Sequence, residues 1–160
     1  MMIKPDVRYE CILFCTDFSE NADFAFYYAL ASAVRTHYAT LHILHVIPEA
    51  DAQFWRTYLY EIENVDDKAL VDINRKIAET YLSQIPAEIP FQVTIKTGKA
   101  PEQILKYAEE INADLIIMGR QGASQLGKQW FGNVTEKIAR KAGCAVLIIP
   151  YSYEKRLEQH

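Results

Sequence analysis

The 160-residue sequence predicts an α/β fold: one domain built on a doubly wound, five-stranded parallel sheet with helices on both faces. Three observations carry this. Five short apolar runs alternate along the chain with segments of helical period. Most of those runs are almost continuously apolar, which is the pattern of strands covered on both sides. Between the fourth run and the last helix lies a loop punctuated by glycines, a common strand-to-helix connection in nucleotide-binding sheets.

The first strand spans about Glu10 to Cys15, and Asp17, Phe18 and Ser19 form the turn after it. Asp17 with Glu20 three residues on resembles a capping box, so a helix is expected from about Glu20 to Thr36. Ala22, Ala25, Ala29 and Ala33 recur on one side of it, and side chains this small let a helix lie close to a sheet. The second strand covers Thr40 to Ile47. Leu70, Ile73, Ile77 and Tyr81 recur at three- and four-residue steps and predict a core-facing helix from about Asp66 to Ser83. Before it, Phe54 to Tyr60 is aromatic-rich and reads as a short helix packed against the domain edge, with a lid or partner surface as the alternative. Phe91, Val93 and Ile95 alternate with polar residues, so Phe91 to Thr97 predicts an edge strand with one wetter face. Pro101 suits the first residue of a helix running to about Ile111. The fourth strand is Asp114 to Met118, the final helix Val134 to Ala142, and the fifth strand Ala145 to Ile149. Residues 1–150 make the domain, and Tyr151 to His160 is a tail without periodicity.

The segment Gly119-Arg120-Gln121-Gly122, with Gly132-Asn133 after nine residues, carries the chemistry. Backbone N–H groups at a helix start bear partial positive charge, and glycines let the chain approach an anion or adopt the positive φ that a nest of N–H groups requires. The plainer reading is that these are turn residues and that Asn133 with Glu136 simply caps the helix. The spacing, in this strand–loop–helix context, favours a phosphate cradle from Gly119, Gly122, Gly132, Asn133 and the backbone of Val134. Thr135 adds a hydroxyl, and Arg120 either pairs with a phosphate or points to solvent. The Asp17 carboxylate is placed for the base or ribose edge and is a candidate contact for Mg²⁺ at the phosphates. Val46, ending the second strand, suits apolar contact with the base.

This glycine pattern resembles the nucleotide-binding signature of the universal stress protein family. Ile12 to Glu20, Leu41 to Ile47, Ala113 to Gly119 and Cys144 to Pro150 resemble the family's strands in the family's order. Two departures stand out: Asn133 where the family usually has Ser or Thr, and Cys15 where a proline often precedes the Thr-Asp pair. The resemblance implies strand order 3-2-1-4-5, which puts a topological switch between the first and fourth strands. It implies ATP as the ligand, with contacts at the positions matching Thr16, Asp17, Val46, Met118, Gly119, Gly122, Gly132 and Asn133. It also implies a homodimer through the last strand. The leading reading is a stress-response or signalling module in which bound ATP orders the loop from Arg120 to Phe131. Family members without ATP binding usually lack the glycine signature. A dimeric interaction protein of the same fold, with no nucleotide, is the competing reading. A third is an enzyme of the wider adenine-nucleotide α/β group with a substrate pocket near Trp55.

Other classes are disfavoured. The formal charge is −4 and no Lys/Arg block stands out, so a nucleic-acid surface is not expected. Lys137, Arg140 and Lys141 cluster near a helix end, where cations offset the dipole. No apolar run approaches a membrane span and the N-terminus has no signal-peptide pattern, so the expected compartment is the cytoplasm. There is no G-x4-G-K-[ST], no G-x-G-x-x-G after the first strand and no G-x-S-x-G. His42 and His45, three apart on a strand, face opposite sides and cannot share a metal. Cys11, Cys15 and Cys144 have neither C-x-x-C nor zinc spacing and read as free thiols. No catalytic set is identified, so any hydrolysis is expected to be slow.

Overall fold

A computed structural model describes residues 4–36, 39–58, 65–120 and 134–150. In chain order the elements are β1 (Cys11–Thr16), α1 (Glu20–Arg35), β2 (Thr40–Pro48), α2 (Glu49–Tyr58), α3 (Val65–Thr80), a 3₁₀ turn (Leu82–Gln84), β3 (Phe91–Gly98), α4 (Ala100–Glu110), β4 (Leu115–Gly119), α5 (Val134–Lys141) and β5 (Ala145–Ile149). The five strands form one parallel sheet in the order β3-β2-β1-β4-β5, as the family resemblance implies.

Two cores flank the sheet because successive strand residues point to opposite faces. On one face Phe14, Ile43 and Ile117 meet Phe26 and Ala29 of α1, Ile77 of α3, and Tyr81 just beyond it. On the other, Leu13, Leu44 and Ile116 meet Ile104 and Tyr107 of α4 and Ile138 of α5. Full burial of one large apolar side chain contributes about 2 kcal/mol, so each face is a substantial part of the stability.

The alanine stripe of α1 is buried throughout, and α1 approaches β4 so closely that a Cβ on Gly119 would lie 2.9 Å from the Asn21 Cγ and 3.0 Å from its backbone. The periodicity of α3 ends as expected, with Ile77 and Tyr81 fully buried, but Leu70 is 38% exposed. In α2, Ala52 is buried while Phe54 remains 56% exposed. Among the described residues no helix is long and apolar enough to cross a membrane. The tail at 151–160 lies outside the described residues.

Candidate functional site

The two central strands part company before they end. β1 stays paired with β2 through Thr16 and His45, and β4 with β5 through Gly119 and Ile149. The β1–β4 ladder stops at Phe14 and Ile117, two residues short of either strand's last residue. At the same junction the covering helices change sides, α1 and α3 packing on one face and α4 and α5 on the other. An opening at the carboxyl ends of strands, where the connections reverse direction, is where open parallel sheets take ligands. In a parallel sheet each crossover helix runs back against the strands, so the N-termini of α1 and α5 lie at this same end, offering partial positive charge.

On the β1 side, Thr16 is buried and Asp17 is exposed. The Asp17 Oδ1 accepts the Ser19 N–H at 3.0 Å, and Phe18 between them sits at φ 61°. The helix cap is Ser19 rather than Asp17: the Ser19 Oγ accepts from the Ala22 N–H at 3.1 Å. The expected capping box at Asp17 is therefore displaced by two residues, and the Asp17 side chain closes an Asx turn instead. The Thr16 carbonyl accepts from His45 Nδ1 at 2.8 Å, leaving Nε2 to carry the lone pair of the neutral ring. Burial lowers the His45 pKa; the Thr16 hydrogen bond and the Asp17 charge oppose that, and Lys76 reinforces it. Phe18 covers this ring at 4.6 Å between centroids, with the Lys76 ammonium 4.5 Å from the centre of the Phe18 ring.

Val46 and Met118 both pack against the core on the α4/α5 face. Gly119 ends β4 without a positive φ. Its need for glycine comes from the pressure of Asn21 against it, not from the left-handed conformation expected of the loop glycines. The Arg120 N–H is already committed, donating to the Ile149 carbonyl at 2.9 Å; the Asn21 Nδ2 donates to the same oxygen at 2.9 Å. The first amide after β4 thus continues the sheet, and an anion would have to be met farther along. Gly122, Gly132 and Asn133 lie outside the described residues, as does the loop at 121–133. Val134 opens α5, and Thr135 beside it is buried.

The histidines separate as their spacing predicts: His42 meets the Tyr107 hydroxyl on the α4 face and His45 lies under Phe18 on the other. The cysteines are free thiols. Burial, with a smaller contribution from Cys144, pushes the Cys15 pKa well above the ordinary thiol range, so it is no reactive thiolate.

Two residues near the site escaped sequence reasoning. Asn21 reads as one polar position in an alanine-rich helix, yet it is buried and ties α1 to β5. Tyr81 reads as a core residue, but its hydroxyl lies 2.5 Å from the Thr16 Oγ1 and donates to the Asp23 Oδ1 at 2.6 Å. The available signal was chemical: a buried tyrosine hydroxyl needs a partner, and Asp23 and Thr16 are the polar groups that face it.

Residues 8–150 match the profile of the universal stress protein family. The chain belongs to the universal stress protein family. The universal stress protein MJ0577 of Methanocaldococcus jannaschii is 29% identical over 157 residues, covering 89% of this chain and 96% of that one. Its solved structure superposes with a TM-score of 0.72 over 90% of this chain and 97% of its own. A Staphylococcus aureus (strain USA300) relative named for the same family is 31% identical over 151 residues, 89% of this chain and 85% of its own. A universal stress protein from Archaeoglobus fulgidus, solved in complex with dAMP, shares the fold at 18% identity, with a TM-score of 0.61 over 89% of this chain and 99% of its own. The five-stranded order and the flanking helices are those of a universal stress protein.

Proposed function

We propose that this universal stress protein binds ATP, with Mg²⁺, in the opening between the carboxyl ends of β1 and β4, and acts as a nucleotide-dependent stress-response or signalling module with at most slow hydrolysis. The observation that carries the reading is the early end of the β1–β4 ladder, flanked by the Asp17 turn on one side and by Gly119 and the start of α5 on the other. Its support from relatives is an Archaeoglobus fulgidus family member in complex with dAMP, an adenine nucleotide. In this reading Thr16 and Asp17 meet the base, ribose or metal, and Val46 and Met118 border the base slot. The glycine loop and the first turn of α5, from Gly119 through Gly122, Gly132, Asn133, Val134 and Thr135, face the phosphates. Arg120 contributes through its side chain, because its amide is spent on Ile149. Slow hydrolysis is expected because phosphoryl transfer needs a water-positioning base and a cationic clamp beyond the nucleotide cradle.

The same proposal includes a homodimer through β5 and a cytoplasmic location. β5 is an outer strand of the sheet, with Leu147 37% exposed, and such edges are normally covered or paired. Light scattering after size-exclusion chromatography tests it: a mass near twice 18.4 kDa is expected, and a monomer overturns it.

Mass spectrometry of small molecules released from purified, denatured protein, with a thermal shift in ATP and Mg²⁺, tests the nucleotide. Ligand at about one hundred times its Kd stabilises by roughly 2.7 kcal/mol, which is a rise of several degrees for a chain of this size. A melting temperature flat through a saturating titration, with no nucleotide released, favours the dimeric interaction protein without a nucleotide.

A further inference from the structure

We propose that Tyr81 and Asp23 are positioning residues for the Asp17 turn, holding it in its ligand-ready shape through a one-directional hydrogen-bond chain that ends at the Phe18 amide; the assignment rests on the nucleotide reading above.

The direction of the chain follows from counting protons. An ionised carboxylate only accepts, so the single Tyr81 hydroxyl proton points at the Asp23 Oδ1, 2.6 Å away. The 2.5 Å contact between the Tyr81 hydroxyl and the Thr16 Oγ1 must then be donated by Thr16. With its proton spent, the Thr16 Oγ1 accepts from the Phe18 N–H at 3.0 Å. Four groups from four parts of the fold are joined: the turn, the last residue of β1, the residue just after α3 and the first turn of α1. Tyr81 is fully buried and Thr16 nearly so. Bulk water therefore has no ready access to the Tyr81–Thr16 link at the centre of the chain.

The turn needs this restraint. Phe18 adopts φ 61°, a left-handed conformation that a residue with a Cβ disfavours. Asp17 lies between the two pinned peptide groups, the Thr16 carbonyl held by His45 and the Phe18 amide held by Thr16. Its backbone is thereby fixed on both sides while its carboxylate remains at the surface. Burial first, and the Asp23 hydrogen bond second, raise the Tyr81 pKa far above the ordinary phenol range, so Tyr81 stays a donor at every working pH. A phenylalanine would fill the same space; the hydroxyl is what reaches the turn.

The test is calorimetric titration of the full chain with ATP and Mg²⁺, well below every variant's melting temperature, together with amide exchange at Phe18. Tyr81→Phe and Thr16→Val are each expected to weaken ATP about fivefold, the loss of one ordinary hydrogen bond. The double variant should be no weaker than either single one, because both cut the same chain. Asp23→Ala should behave like Tyr81→Phe, whereas Asp23→Asn, which still offers an acceptor, should stay within about twofold of wild type. Phe18 exchange should quicken in every weakened variant. Affinity unchanged in Tyr81→Phe despite a lower melting temperature, or losses that multiply to about 25-fold in the double variant, overturns the assignment alone. Wild-type protein that does not bind ATP overturns the nucleotide reading and this assignment with it. Should Tyr81→Phe fail to fold, the two Asp23 variants, at a half-buried position, decide the question in its place: equal affinities in Asp23→Ala and Asp23→Asn overturn the assignment.

Discussion

Among the described residues, each face of the sheet holds one buried tyrosine whose hydroxyl reaches a threonine on a strand, and the two differ in where along the strand they reach. Tyr107 of α4 meets His42 Nδ1 at 3.1 Å and the Thr94 Oγ1 at 2.8 Å, both well inside β2 and β3. Tyr81 meets Thr16, the last residue of β1, and passes the contact on to a carboxylate at the helix N-terminus. Even the cations differ. Lys96 sits 5.6 Å over the Tyr107 ring itself, while Lys76 sits over Phe18 in the turn. Both networks satisfy buried polar groups, which would otherwise cost about 1–3 kcal/mol each. The Tyr107 network holds strands to a helix. The Tyr81 network, by its position at the strand end, also shapes the loop that borders the opening.

The largest expected effect breaks the Tyr81 face at its closest approach. Gly119→Ala puts a methyl group within 3.0 Å of the Asn21 backbone. Overpacking of that kind costs about 1–3 kcal/mol, a fall of several degrees in melting temperature. Gly143→Ala, whose added methyl meets nothing within 4 Å, is the control and should stay within about 0.5 kcal/mol of wild type in urea unfolding.

Next comes the pair of tyrosines. Tyr81→Phe and Tyr107→Phe should each lower stability by about 1 kcal/mol. Only Tyr81→Phe should also weaken ATP. Equal effects on affinity from both would erase the distinction between the faces.

A smaller effect is common to both faces. Burial lowers the pKa of His42 and of His45 below the ordinary 6.5. Between each folded value and 6.5 the unfolded chain binds the proton more readily, so stability rises with pH through that window and is lost as pH falls below 6.5. The urea midpoint should be level from about pH 8 to 7 and decline below 6.5. In a His42→Gln variant the decline should become shallower without disappearing.

Much of this fold was legible in the sequence because its strands are buried on both sides. Ile12 to Phe14, Leu41 to Leu44 and Leu115 to Met118 are apolar with little interruption, and their observed limits fall within one or two residues of those expected. The alanine stripe of α1 likewise announces close packing, and Gly119 is where that closeness is felt. Contacts between distant residues were not legible. Asn21 bonds to a carbonyl 128 positions away, and nothing local marks it. The choice of Ser19 over Asp17 as the helix cap depends on the path of the turn, which follows from Phe18 taking a positive φ. Of the candidate site, Thr16, Asp17 and Gly119 stand at the parting of β1 and β4. Gly122, Gly132 and Asn133 fall outside the described residues.

The most direct trial of the nucleotide site is a titration of isotope-labelled protein with ATP and Mg²⁺, followed by amide resonances. Saturable shifts are expected at Asp17, Phe18, Val134 and Thr135, the residues on the two sides of the opening. Shifts absent there, or confined to the groove around Leu105, Asn112 and Gly143 at the amino ends of β4 and β5, would contradict a nucleotide held between β1 and β4.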